Sequence, residues 1–268
     1  MWPELPYAAW RETRDTLHMY LQIVGKVRHT LTPKQADWGH APLYVTARGL
    51  NTSPIPHPNG VFDIDVDFVD HAVAVRRTDG RVDRIRLEPR TVADFYAELM
   101  GILDRAGLHV EISTMPSDVA DGIPFPEDAV HAGYDREQAN RFWHVVVCVD
   151  RVLKEHRARF PGKASPVQLW WGSLDLAYSR WHDGGESAAG FWPGDARHPL
   201  PAFYAYTTPK PDGIESAPVE PAGAGWSAEL GEFLLPYDDV RTAADPRETL
   251  LAFLETTYAA GSDRGRSG

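Results

Sequence analysis

From Val61 to Val69 apolar and acidic residues alternate without a break. Phe62, Ile64, Val66 and Phe68 point one way, while Asp63, Asp65 and Asp67 point the other. A strand with one dry face and one wet face belongs to an antiparallel sheet. Its dry face must be covered, and helices packed on such a sheet give an α+β fold.

The chain supplies long helices for that purpose. Trp10, Leu17, Tyr20, Leu21, Val24, Val27 and Leu31 recur at three- and four-residue steps, which predicts a helix from about Tyr7 to Leu31, stopped by Pro33. A second long helix is expected from Asp135 to about Phe160, with Asp135 and Gln138 as a capping box. Val145, Val146, Val147 and Val149 favour a strand by propensity, but the lack of Gly and Pro around them argues helix. Shorter helices are expected at Thr91–Ala106, closed by Gly107, and at Pro246–Ala260, capped by Asp245.

Further strands are expected at Leu43–Ala47, Ala72–Arg76, Val82–Leu87, His109–Ser113, Ala202–Thr207 and Glu232–Leu235. Asp79-Gly80 marks a hairpin. Pro166–Tyr178 reads as a strand pair, or one strand bent at Gly172. Asn51–Gly60, with Pro54, Pro56 and Pro58, reads as extended loop, as do Met115–Gly133 and Ser187–Leu200. Residues 263–268 read as a disordered tail.

The element order repeats. Each half runs long helix, Pro, strands, a strand ending at Leu87-Glu88-Pro89 or Leu235-Pro236, then a helix ending in Gly. We expect one domain over 1–262, made of two similar halves (about 1–115 and 130–262) related by duplication. A pseudo-two-fold axis would then place a shared cleft between them.

Composition narrows the function. The net charge of −11 argues against nucleic acid as a partner. No apolar run reaches the roughly 20 residues that span a bilayer, and Met1-Trp2-Pro3-Glu4 does not begin a signal peptide. A cytoplasmic protein without membrane partners is expected. The lone Cys148 excludes an internal disulfide and reads as an inert core thiol. Nine Trp in 268 residues point to an aromatic core or an aromatic-lined pocket.

Several motifs fail on inspection. Counted from Asp63, an EF-hand loop would need Gly and Glu where Phe68 and Ala74 stand. His18 and His29 share a helical stripe with Gln22 and Gly25, but are too far apart along the axis to hold one metal, and read as satisfied or solvent-facing. Gly223-Ala224-Gly225-Trp226-Ser227-Ala228 has the letters of a dinucleotide fingerprint, preceded by Pro218 and Pro221 instead of a strand. No cofactor and no metal site is expected.

Trp2-Pro3-Glu4-Leu5-Pro6, Gln22-Ile23-Val24-Gly25-Lys26, Ser53-Pro54-Ile55-Pro56, Asn140-Arg141-Phe142-Trp143, Gly190-Phe191-Trp192-Pro193-Gly194 and Glu229-Leu230-Gly231-Glu232-Phe233 are spread over the chain. On these segments the chain resembles a bacterial family named only as domain of unknown function 5996. The resemblance implies a soluble bacterial protein and supplies no activity, cofactor or catalytic residue. The chain departs from the family where only His182-Asp183-Gly184-Gly185-Glu186-Ser187 precedes the Gly190–Gly194 loop, which implies a more open pocket.

What remains is aromatic and polar residues on loops. Trp38 and His40 precede the first strand, Arg48 ends it, and Trp171 with Asp175 holds the matching place in the second half. Trp192 and Tyr204 add aromatic surface. The leading expectation is an enzyme or binding protein for a small polar or anionic molecule. His40 would be its acid/base, Arg48 its anion anchor, and Trp38, Trp171, Asp175, Trp192 and Tyr204 its walls. Two other readings stand beside it. The Trp side chains would seal the halves and Arg48 would pair a carboxylate, or the aromatic surface would dock a protein partner without catalysis.

Overall fold

The computed structural model describes residues 2–182 and 185–264, of which the side chains of 263 and 264 are not considered. Its contacts divide the chain into two compact units. Ala9–Trp143 with Leu169–Leu174 form one, here the N-terminal unit; Met1–Ala8, His144–Gln168 and Asp175–Gly268 form the C-terminal unit. The division falls inside a helix after Trp143, not in the 116–129 connection.

The N-terminal unit is built on helix α1 (Tyr7–Leu31). Its apolar stripe is buried as expected, except for the half-buried Leu31. The opposite stripe is buried too: Thr13, Thr16, His18, Gln22, Lys26 and Arg28 all fall below a tenth exposed. A helix buried all round must find partners for its polar side chains inside the protein. That requirement creates the site described below.

Strands β1 (Tyr44–Val45), β2 (Gly49–Asn51), β4 (Gly60–Asp67), β5 (Ala72–Arg77) and β6 (Val82–Arg86) form an antiparallel sheet in that order, and β3 (Ile55–His57) pairs with β4. The alternation of β4 is realised: Phe62, Ile64, Val66 and Phe68 are at most 2% exposed. At Gly49 a Cβ would lie 1.8 Å from the Val66 carbonyl oxygen, so only Gly permits this pairing. Helix α2 (Val92–Arg105) starts where the Asp94 amide donates to Thr91 Oγ1 at 3.0 Å. It stacks Phe95 on Tyr20 of α1, 4.1 Å between centroids. Helix α3 (Arg136–Ala158) starts where the Glu137 and Gln138 amides donate to Asp135 Oδ1. Val145, Val146 and Val149 are buried on it, as the helix reading required. Cys148 on α3 is half-buried, and burial pushes its thiol pKa up. The short strand β7 (Gln168–Trp170) bridges Leu169 to Leu43.

The C-terminal unit holds strands β8 (Asp175–His182), β9 (Gly185–Trp192), β10 (Ala202–Thr208), β11 (Gly225–Ser227) and β12 (Glu232–Pro236), in the order β11-β12-β10-β9-β8. All its pairs are antiparallel. Phe191, Phe203, Phe233 and Leu235 are buried, as are Leu250, Leu251, Phe253 and Leu254 of the last helix, α5 (Pro246–Arg264). A short helix α4 (Tyr237–Arg241) precedes it, and Tyr237 packs against Trp2.

The fold class is therefore α+β, with two antiparallel sheets and long helices. Several expectations on elements change. Ser187–Trp192 lies within β9 instead of a loop. The Pro-rich 51–60 segment contains β3, whose single neighbour leaves Pro56 no further ladder bond to supply. His109–Ser113 forms no strand: Leu108, Val110 and Ile112 are buried in alternation without a ladder partner. Of the expected tail, 263–264 close α5 and 265–268 lie outside the described residues. The sheets also end differently. In the first, the last strand β6 sits at the edge; in the second, the last strand β12 sits between β10 and β11. The topology thus does not confirm a duplication.

Candidate functional site

In the N-terminal unit, the polar stripe of α1 meets two loops. His18 Nε2 lies 3.0 Å from the Trp171 carbonyl and 2.9 Å from that of Gly172, so it carries the proton and donates to both. Burial, and next the charge of Arg14, lower its pKa to about 3, which keeps the ring neutral. One turn on, the Gln22 amide pairs with both backbone groups of Ser117, at 2.9 and 2.7 Å. Lys26 Nζ donates to Ser117 Oγ at 3.0 Å and lies 5.4 Å from the Trp171 ring centre. Burial lowers the Lys26 pKa, opposed by the charge of Asp118.

Two glycines make this packing possible. A Cβ on Gly25 would lie 2.2 Å from the Trp171 indole, and one on Gly172 would lie 2.7 Å from the Asp118 carboxylate. Trp171 then donates its indole N–H to the Ala41 carbonyl at 2.8 Å. Buried Arg28 donates to the carbonyls of Thr52 and Gly39. Together Trp171 and Arg28 tie the 38–41 loop to α1.

That loop carries His40 into a file of rings. His40 stacks on His29 at 5.0 Å and on Trp38 at 5.8 Å, and His29 meets the edge of Trp171 at 6.5 Å. The Gln35 amide donates to His40 Nδ1 at 3.2 Å, which places the His40 proton on Nε2. His40 is 3% exposed, and its Nε2 has no hydrogen-bond partner among the described residues. Burial lowers the pKa of His29, with His40, Lys26 and Lys34 adding positive potential. Asp37 and Trp38 both adopt left-handed backbone, φ 53° and 58°, and Trp38 is 63% exposed.

The C-terminal unit has a second grouping on one face of its sheet. The Tyr204 hydroxyl donates to Asp175 Oδ2, and Tyr204 and Tyr206 stack at 6.3 Å. The β9–β10 register sets Gly190 opposite Tyr204, where a Cβ would meet the tyrosine oxygen at 2.7 Å. Glu232 lies one step beyond the Ala205–Phe233 pair, on the same face. Burial, then the Asp175 charge, push its pKa up to about 7. A carboxyl group with a pKa near 7 is able to hold and move a proton near neutrality.

A comparison with models of known protein families matches the chain over residues 2–188 and 184–267 to one model, described as a family of unknown function, DUF5996. The chain belongs to this family. Searches of curated proteins and of solved structures each found no match. The two matched stretches of the DUF5996 model meet at 184–188, where the sequence reading places the departure from the family.

In this DUF5996 protein the residues expected at one cleft are distributed as follows. Trp38, His40 and Trp171 come together in the N-terminal unit. Arg48, in the same unit, holds Asp67 at 2.6 Å and Asp70 at 2.8 Å, the carboxylate pairing weighed as its alternative. Asp175 and Tyr204 join in the C-terminal unit. Trp192 lies on their face of the sheet, two residues along β9 from Gly190, and meets His198 edge-on. Sequence reasoning missed Lys26, Ser117, Asp118, Tyr206 and Glu232, and saw His18 and His29 only as bland. The usable signal was the stripe itself: four polar or Gly positions on a helix whose other face was already apolar. Among the described residues no three His, Cys, Asp or Glu side chains group to hold a metal, and no helix is long and apolar enough to cross a membrane.

Proposed function

We propose that the ring file of the N-terminal unit binds a small anionic molecule, with His40 as its contact and acid/base group. One observation carries this reading: a nearly fully buried imidazole whose Nε2–H has no partner among the described residues. An unmet buried donor is costly, and a ligand oxygen would satisfy it. Lys26 and Lys34 lend positive potential around His29 in a chain that is otherwise acidic. Trp38 and Trp171 offer flat walls. Arg48, occupied by two carboxylates, is left out of this reading.

The test is a thermal-shift screen of the intact protein against carboxylate- and phosphate-bearing metabolites, beside His40→Phe. That variant keeps a ring in the stack and removes Nε2. Compounds that raise the Tm of the wild type and not of the variant support the reading. Equal shifts in both proteins, or none in either, overturn it.

One observation favours a second reading. Trp38 projects largely into solvent from two successive left-handed residues, as an aromatic docking point for a protein partner would. Here the reaction-free role would depend on Trp38 and tolerate His40→Phe.

A further inference from the structure

The C-terminal unit holds a small, partly open cavity of about 10 Å³, room for one particle of about water size. Its polar lining includes His156, Tyr178, Arg180, Ser187, Thr207 and Tyr258, and no carboxylate is among its lining residues. From these residues we infer that the cavity is a binding site for a single monovalent anion of chloride size.

The charge comes from Arg180. Its residue is 4% exposed, and among the described residues no carboxylate pairs with it. One guanidinium nitrogen donates to the His156 carbonyl, and the group lies between the rings of Phe160, Tyr178 and Tyr258 at 4.7 to 5.7 Å. Its Nε is buried and has no hydrogen-bond partner among the described residues. A buried charge without a counterion is expensive. Glu255 is already held by Arg159 at 2.9 Å and stands 3.4 Å from His156 Nε2.

The neutral groups present hydrogens as well. His156 and Tyr178 bond through Nδ1 and the phenol oxygen. Burial and the Arg180 charge hold His156 neutral, with a pKa of about 4. The pair therefore has two hydrogens and spends one on its mutual bond; the other is on the phenol or on Nε2, where Glu255 stands 3.4 Å away. His182, Ser187 and Thr207 form a chain, with 3.0 Å from His182 Nε2 to Ser187 Oγ and 2.9 Å from there to Thr207 Oγ1. Run from imidazole to hydroxyl to hydroxyl, that chain ends with the Thr207 hydrogen unspent. A buried guanidinium without a carboxylate partner among the described residues, beside a threonine hydroxyl able to donate, suits an anion better than a water, which must also find acceptors.

The test uses the full chain exchanged into sodium gluconate and titrated with sodium chloride at constant ionic strength. Chloride is expected to raise the Tm saturably, on the order of 2–5 °C by about 100 mM, and bromide should do the same. The ³⁵Cl NMR line should broaden with the wild type. Arg180→Met should abolish both effects. If that variant does not fold, Thr207→Val, which keeps shape and removes the hydroxyl, should weaken both. Identical melting in chloride and gluconate without line broadening assigns the cavity to water and overturns the inference.

Discussion

The imidazoles of His29 and His40 lie stacked, 5.0 Å between centroids and 25° between planes. Rings this close resist carrying two positive charges, so protonation of one opposes protonation of the other. His29 is accordingly held below the ordinary histidine pKa, by burial first and by His40 next. In His40→Phe the neighbouring imidazole is gone while a ring remains in the stack. The His29 pKa is expected to rise toward 6.5, read from its ring-proton shifts in a pH titration. The lost acceptor for the Gln35 amide should cost about 1 kcal/mol.

His18 gives the fold an acid-sensitive point. Its folded pKa of about 3 lies below the unfolded value of 6.5, so the unfolded chain takes up the proton first. Its contribution is complete above pH 6.5 and is lost as pH falls from there toward 3, by up to about 1.4 kcal/mol per pH unit. His18→Gln keeps an N–H donor for the Trp171 and Gly172 carbonyls and does not titrate. Urea denaturation of this variant at pH 7.5, 6 and 5 should show a shallower loss than the wild type.

Gly25→Ala tests the close approach of helix and indole. The added methyl would meet the Trp171 ring at 2.2 Å, and the ring is pinned by its bond to Ala41. The expected cost is about 1–3 kcal/mol, with a shift in Trp fluorescence as the indole is displaced. An unchanged emission spectrum and midpoint would refute the packing described.

Glu232 behaves in the opposite sense to His18. Its folded pKa, about 7, lies above the ordinary 4.5. Its contribution is complete below pH 4.5 and is lost as pH rises through 7. Glu232→Gln should therefore stabilise the protein at pH 8 by about 1–2 kcal/mol, allowing for solvent that still reaches the group, and have little effect at pH 4.5. Equal effects at the two pH values would contradict the raised pKa.

Arg48→Ala separates an ion pair from a ligand anchor. Arg48 is half-exposed on Asp67 and Asp70, and Asp67 keeps the Val69 and Asp70 amides at 2.8 Å without it. The variant should melt close to the wild type and respond to the same compounds. Loss of the ligand-induced shift would return Arg48 to the site.

Where local pattern and tertiary demand agreed, the sequence was readable. The alternation of β4, the three- and four-residue steps of α1 and the Asp135 cap of α3 each appear in the structure. β9 was not readable because Ser187-Ala188-Ala189-Gly190 lacks the branched and aromatic residues that mark strands. Its small residues answer to neighbours instead: at Gly190 a Cβ would meet Leu176 O and the Tyr204 hydroxyl. Within the site, Trp38, His40 and Trp171 could be named from their places beside strands. Their union with Lys26 and Ser117 could not, since Ser117 lies 91 positions from Lys26 and no periodicity links them.

The burial of α1 on both faces also sets an order of assembly. The carbonyls that take the His18 proton belong to Trp171 and Gly172, the latter 154 positions downstream. During synthesis this helix leaves the ribosome before its imidazole, amide and ammonium groups have their partners. Water must serve the amide and the ammonium until Ser117 has followed, and the imidazole until Gly172 has. Helix α1 is thus made well before the last of its partners, and a nascent chain halted before Gly172 would leave the His18 imidazole without the carbonyls it donates to.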